Sequence, residues 1–392
     1  MKPRVAILVF RQLSLRNGVS RTISTMSAYF KERAAIITDV YNEKTTHHIS
    51  EGTAIHQLGP AALSSPIIPL KIVKILLVSA EVKRMAEESG IKILSAHGFY
   101  SLLCSCIAKL LSMRKLRVSW LVYDDVEICS PFRRLAAIFF ARLGLVDQLL
   151  VLSSRMKVLA RAKLMASNVS LVRLGVSLEL IELSHTEEWG QTTCDKNFGR
   201  DRRIKLYFHG LLNPRRRIED LLEAVAIVNR ESEEQKVMLY ISDGPDRNCP
   251  YLRKLQNLIA KLNLKDDTIL LGSLNDDARL AIMYKSCDIF VFPCEQESWG
   301  LAPLEAMLFK KPVIVSSDTG VSEMLENWRN AVIVPTRSPE FLAAAILKLI
   351  GDEPARLELG ENGRDLVLKN LTYISTGQQL DALWTTLQNA AT

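Results

Sequence analysis

The sequence predicts an α/β protein built as two facing Rossmann-like domains, each with a parallel sheet, and with a ligand-binding cleft between them. Two observations lead there. Across residues 205–350, short strands that are apolar throughout alternate with single amphipathic helices, the pattern of a parallel sheet covered on both faces. The same alternation recurs less cleanly before residue 180, and 392 residues suit two domains better than one. Open sheets of this kind bind ligands at the carboxyl ends of their strands, so two such domains would hold a ligand between those ends.

The elements follow in order. In the first half, residues 4–10 read as a strand and 20–31 as a helix, after a loop containing Asn17-Gly18. Residues 35–38, 74–79, 91–95, 118–123, 148–152 and 169–174 read as further strands, and 100–111 and 130–143 as helices. In the second half, strands are expected at 205–210, 236–242, 268–272, 288–293, 312–317 and 331–335. Helices are expected at 216–230, 251–264, 276–287, 300–309 and 339–350, with a short one from Gly320. In the first of these, Ile218, Leu221, Leu222, Val225 and Val228 recur at helical spacing. Residues 181–203 are polar and aperiodic, which makes them a linker between an N-terminal domain at 1–180 and a C-terminal domain at 204–365. Residues 366–392 read as helices expected to cross back to the N-terminal domain.

Composition narrows the functional classes. No stretch approaches the roughly 18 uninterrupted apolar residues of a membrane span, and the opening apolar run is too short for a signal segment. The seven cysteines form no C-x-x-C pair, which suits idle thiols in a reducing cytosol. Charge is unevenly shared: residues 1–180 hold 25 Lys and Arg against 12 Asp and Glu, and the remainder 25 against 31. Such a basic first half suits an anionic partner, whether phosphorylated lipid, membrane surface or nucleic acid. Nucleic acid ranks last, because the basic half has neither a recognisable module nor clustered aromatics for stacking.

The segment richest in chemistry starts at Phe292 and reads FPCEQESWGLAPLEAMLFKKPVIVSSDTGVSEML. Glu297 falls in the loop after a strand, Gly300 lets the backbone approach closely at the start of the next helix, with Leu301 beside it as a donor contact, and Glu305 lies inside that helix. The start of a helix presents free N–H groups and a partial positive charge, a seat for phosphate or sugar hydroxyls. A carboxylate on either side can accept hydrogen bonds from vicinal hydroxyls. Together these features suit a ligand both polyhydroxylated and phosphorylated, which describes a nucleotide-sugar.

This segment resembles the retaining glycosyltransferases of family 4, which have the two-lobed GT-B fold. The resemblance rests on Glu297, Gly300 and Glu305-Ala306, then Lys311-Pro312-Val313-Ile314 and Gly320-Val321-Ser322-Glu323. It is strong over 205–350 and holds only in outline before that. It implies that Glu297 contacts the transferred sugar and Glu305 the ribose. The family usually clamps the pyrophosphate with an Arg and a Lys after the first strand of this domain. Here Leu211 stands in the Arg place and Arg216 in the Lys place, with Arg215 or Arg217 available to cover the missing cation. Asp243-Gly244 after one strand and Gly272 after the next resemble turns beside the donor. In the N-terminal domain, Gly18 stands where the family has a glycine-rich loop, and either Asp124 or His97 stands near the place of a functional histidine.

The resemblance implies transfer of a sugar from a nucleoside diphosphate to a hydroxyl with retained anomeric configuration. No metal and no other cofactor is expected, and no nucleic-acid partner. The basic half suits a lipid-linked, phosphorylated or glycan acceptor and docking on an anionic membrane surface, the enzyme being cytoplasmic and peripheral. The expected lipid contacts are residues 114–117 and 133–140. The competing reading is a noncatalytic GT-B subunit that regulates or scaffolds a partner glycosyltransferase, suggested by Leu211 and the missing histidine.

Overall fold

The computed structural model describes residues 5–10, 18–38, 53–57, 68–184, 202–232, 236–242, 250–274 and 277–389. The chain forms two compact units, one of residues 1–174 and 373–392, the other of residues 175–372.

The first unit is built on seven strands: β1 Val5–Val9, β2 Ala34–Thr38, β3 Ala54–Gln57, β4 Ile93–His97, β5 Arg117–Leu121, β6 Gln148–Val151 and β7 Val169–Leu171. All pair in parallel, in the order β3-β2-β1-β4-β5-β6-β7. Every residue of β1, β2 and β4 is buried, as a strand covered on both faces requires. The helices of this part are α1 Gly18–Phe30, α2 Ile68–Glu88, α3 Phe99–Leu111, α4 Asp125–Cys129, α5 Pro131–Arg142 and α6 Ser154–Leu164.

Residues 74–79, expected as a strand, lie inside α2. Ile75, Val78, Val82, Met85 and Ala86 are its buried apolar positions, a spacing of three and four that strand alternation cannot produce. The apolar run at 74–79 is shorter than two helical turns, too short to separate the two periods. Strand β3 and helices α4 and α6 had not been expected at all.

The second unit holds β8 Ile204–His209, β9 Val237–Ser242, β10 Thr268–Gly272, β11 Ile289–Phe292, β12 Val313–Ser316 and β13 Val332–Val334. They form a parallel sheet in the order β10-β9-β8-β11-β12-β13. Its helices are α7 Glu179–Leu183, α8 Ile218–Glu231, α9 Pro250–Lys261, α10 Asp277–Ser286, α11 Leu301–Leu308, α12 Pro339–Ile350 and α13 Glu353–Asn370, with 3-10 turns at Pro214–Arg216 and Gly320–Met324. Each strand expected between 205 and 335 is present. Tyr207, Tyr284, Phe290 and Phe292 pack edge-on and stacked under this sheet.

The last helix, α14 Tyr373–Asn389, belongs to the first unit. Trp384 is fully buried against Phe30 of α1, and Arg33 pairs with Asp381 at 2.9 Å. Gln379 and Thr376 tie the same helix to Arg173, by bonds of 3.0 and 3.1 Å.

In both units the strand order reverses beside the first strand, between β1 and β4 and between β8 and β11. The two loops leaving such a pair diverge and open a crevice, the usual ligand position in sheets of this class. The chemistry is therefore sought there.

Candidate functional site

In the second unit, the loops after β8 and β11 carry the residues singled out from sequence. After β8, Asn213 accepts a hydrogen bond from the Arg215 amide at 3.0 Å and so caps the 3-10 turn Pro214–Arg216. Arg217 then adopts a left-handed backbone (φ 51°), and α8 starts only at Ile218. The basic residues thus sit on a turn just ahead of the helix, which starts two residues later than expected, and they remain at the positive end of its dipole, where an added anion is favoured.

The two loops are tied together. The Glu295 amide donates to the Arg215 carbonyl at 2.7 Å, and the Arg215 guanidinium donates to the Gln296 carbonyl. The Arg216 guanidinium donates to the Glu297 carboxylate, lies 5.6 Å from the Phe292 ring centre, and reaches Cys294 Sγ at 3.6 Å. The two charged side chains are 17% and 26% exposed. Burial, the largest single influence, pulls the Arg216 pKa down, but the charges and hydrogen bonds of Glu297 and Cys294 together leave the net shift upward, so the guanidinium stays charged. Burial pushes the Cys294 thiol up to about 12, which keeps it neutral beside this pair. Arg216 Nε is buried with no hydrogen-bond partner, a donor in need of an acceptor.

A second clasp holds the Glu297 loop from the other side. The Gly320 amide donates to the Glu297 carbonyl at 2.9 Å, the Val321 amide to Trp299 at 2.8 Å, and the Gln296 amide to Asp318 at 2.7 Å. A Cβ on Gly320 would fall far inside van der Waals contact of the Ser298 carbonyl oxygen. Glycine is required here for approach. At Gly300 it is required for conformation: its φ of 97° precedes α11, and a Cβ would stand 3.0 Å from the Thr319 methyl.

Glu305, in α11, is 3% exposed and accepts from Tyr284 Oη at 2.8 Å. Tyr284 was missed from sequence; it looks like any apolar position of an amphipathic helix, and no local motif marks it. Leu301 is half-buried at the head of the same helix, and Leu211, in the place of the usual Arg, is 49% exposed. Gly272 ends β10 with φ 67°, two strands away from β8. Asp243 and Gly244 lie outside the described residues.

The first unit's candidates fall at or after the carboxyl ends of the neighbouring strands β1, β4 and β5. Gly18 is the first residue of α1. Asp124 is half-buried in the turn between β5 and α4. His97 ends β4, beside β1, but it is buried, bonded to Ser95 Oγ at 3.0 Å and to Tyr123 Oη at 2.7 Å. Burial pushes its pKa down to about 3, so the ring is neutral and occupied on both nitrogens. It positions Tyr123. Among the described residues, no group of three or more His, Cys, Asp or Glu side chains is placed to hold a metal ion.

The Arg216–Glu297 pair, on two tied loops at the sheet's reversal, lies in the part of the chain that matches a family model. Residues 192–366 match the family model for glycosyl transferases group 1. Over that stretch, which is less than half of the chain, the second unit is similar to these glycosyl transferases. An uncharacterized glycosyltransferase of Methanocaldococcus jannaschii is 29% identical over 175 residues, 45% of this chain and 44% of that protein. The D-inositol 3-phosphate glycosyltransferase of Corynebacterium efficiens is 24% identical over 177 residues, 45% of this chain and 41% of that one. The matched stretch spans less than half the length of either relative. Among solved structures, Anabaena HepE in complex with UDP-glucose is similar with a TM-score of 0.76 and 18% identity, over 97% of this chain and 99% of that one. At that identity the likeness shows the fold alone, and the fold is the GT-B one expected.

Proposed function

We propose that this chain is a glycosyltransferase that takes a nucleoside-diphosphate sugar at the β8/β11 reversal and transfers the sugar to an acceptor hydroxyl with retained configuration. The observation that carries this reading is the Arg216–Glu297 pair, a buried cation with a spare N–H held beside a half-open carboxylate. The donor's diphosphate takes over from Glu297 as the anion facing Arg216 and gives its Nε an acceptor, and Glu297 turns to the sugar hydroxyls. Glu305, held by Tyr284 one turn into α11, faces the nucleoside side in this reading. The family match to residues 192–366 supports it.

As the bond from the anomeric carbon to the phosphate oxygen breaks, positive charge grows on the sugar and negative charge on the diphosphate. Arg216 and the amides where α11 begins stabilise the leaving group, a preorganised electrostatic contribution that is commonly the largest in catalysis. The acceptor oxygen bonds to the anomeric carbon from the same face, and its proton passes to the departing phosphate. Neither His97 nor Asp124 is assigned as a base. The basic first half supports a lipid-linked or phosphorylated acceptor met at an anionic membrane surface, and no described helix is long and apolar enough to cross a bilayer.

The test is a panel of nucleoside-diphosphate sugars scored for slow donor hydrolysis, with Glu297→Ala as the control. Turnover of one donor, lost in the variant, supports the reading; undiminished turnover in the variant overturns it. Leu211 favours a second reading, a GT-B subunit that binds a donor or a partner without turnover. Calorimetric donor binding with no hydrolysis would select it.

A further inference from the structure

Helices α2, α3 and α5 lie side by side on the first unit, and their outer faces are apolar. The inner faces of α2 and α3 share one core cluster containing Ile75, Val78, Cys104 and Ala108. The Phe99 and Phe132 rings, 6.2 Å apart, join the starts of α3 and α5, and Lys109 Nζ, 3.0 Å from the Gly144 carbonyl, joins their ends. Of the nineteen exposed large apolar residues among the described ones, eleven belong to these helices and the turns that end them. In α5 only Ala137 is buried, while Phe132, Leu135 and Phe139, at helical spacing, are 75%, 64% and 59% exposed. A soluble surface seldom tolerates apolar area of this extent without a partner.

Charge identifies the partner. The three helices and the turns that end them contain ten Lys and Arg against three Asp and Glu; the three, Glu81, Glu87 and Glu88, all lie in the last part of α2, beyond its exposed apolar residues, and Lys109 is buried against Asp147. A second copy of the same face would set cations against cations. We infer that this three-helix face seats the protein in the interfacial layer of an anionic bilayer, with Phe132, Leu135 and Phe139 among the acyl chains and Arg133, Arg134, Arg142 and Arg114 at the lipid phosphates. An apolar stripe flanked by long basic side chains is the pattern of helices that lie in this layer without spanning it. The inference deepens the proposed reading, resting on it for the purpose of the docking (access to a lipid-linked acceptor) but not for its physics.

The test is sedimentation with vesicles of phosphatidylcholine, alone or mixed equally with phosphatidylglycerol. The full chain binds the mixed vesicles, binds the neutral ones at least tenfold more weakly, and keeps part of its binding in high salt through the apolar contacts. The double variant Leu135→Ser, Phe139→Ser binds the mixed vesicles at least tenfold more weakly while melting as the wild type does, because both positions are exposed. Arg133→Gln with Arg134→Gln weakens binding chiefly at low salt. Absence of vesicle binding, equal binding by the serine variant, or a dimer that the serine variant dissociates with vesicle binding unchanged overturns the inference. No donor is present in this assay, so its failure is separable from that of the enzymatic reading, which stands or falls on donor hydrolysis in solution.

Discussion

Replacing Glu297 by alanine strands the Arg216 guanidinium where little water reaches it. The two side chains are 17% and 26% exposed, so the pair is mostly but not wholly desolvated. Removing one partner of a buried ion pair costs about 3–5 kcal/mol, and the residual exposure places this one near the lower end. For a unit of this size, about 3 kcal/mol lowers the melting temperature by about 6–12 °C. A nucleoside diphosphate returns an anion to the same guanidinium. At about a hundred times its Kd it restores about 2.7 kcal/mol, offsetting most of the loss, while hydrolysis of the donor sugar stays absent. Scanning calorimetry with and without the nucleotide, beside a donor-hydrolysis assay, measures both effects. A variant melting within about 1 °C of the wild type would refute the buried pair. A variant that the nucleotide no longer stabilises would refute the division of labour between Arg216 and Glu297.

Three further outcomes follow from the same geometry. Gly320→Ala forces the Ser298 backbone to move, at a cost of about 1–3 kcal/mol; donor affinity should fall more than stability does, as titration against melting will show. Tyr284→Phe removes the Oη donor from the buried Glu305 carboxylate and destabilises the second unit by about 1–3 kcal/mol, with a weaker nucleotide as the second readout; unaltered nucleotide binding would detach Glu305 from the donor. His97 is held neutral by burial, its pKa lowered from 6.5 to about 3. The unfolded chain therefore takes up the proton first, and stability falls as pH drops from 6.5 toward 3, by about 2 kcal/mol at pH 5. Denaturant titrations at pH 7.5 and 5 should show this acid slope flattened in His97→Gln.

The second unit was readable from sequence because its strands are continuous apolar runs bounded by single helices. β11 is Ile-Phe-Val-Phe with all four residues buried, and nothing around it mimics its period. The first unit was harder for a reason visible in α2. The helix buries Ile75, Val78 and Val82 on one side but also carries Ile72, Val73, Leu76 and Leu77 on its exposed side, so its first half has no polar face from which to read a period. Strand β3, four residues that include a histidine and a glutamine, leaves almost no signal. At the site, Glu297, Gly300, Arg216 and the Gly320 turn could be named because each belongs to a contiguous motif. The hydrogen bond from Tyr284 to Glu305 spans 21 residues and the saturation of His97 depends on Tyr123, 26 residues on. Such pairings belong to the fold and leave no trace in a local window.

The placement of α14 in the first unit has a consequence for how the chain is made. Phe30 finds its cover in Trp384, which is made only after the whole of the second unit. The second unit, residues 175–372, is contiguous and has all its strands before that point. During synthesis it is free to settle first, whereas the earlier-made unit must wait for α14 to close over α1, reversing the usual N-to-C order of domain maturation.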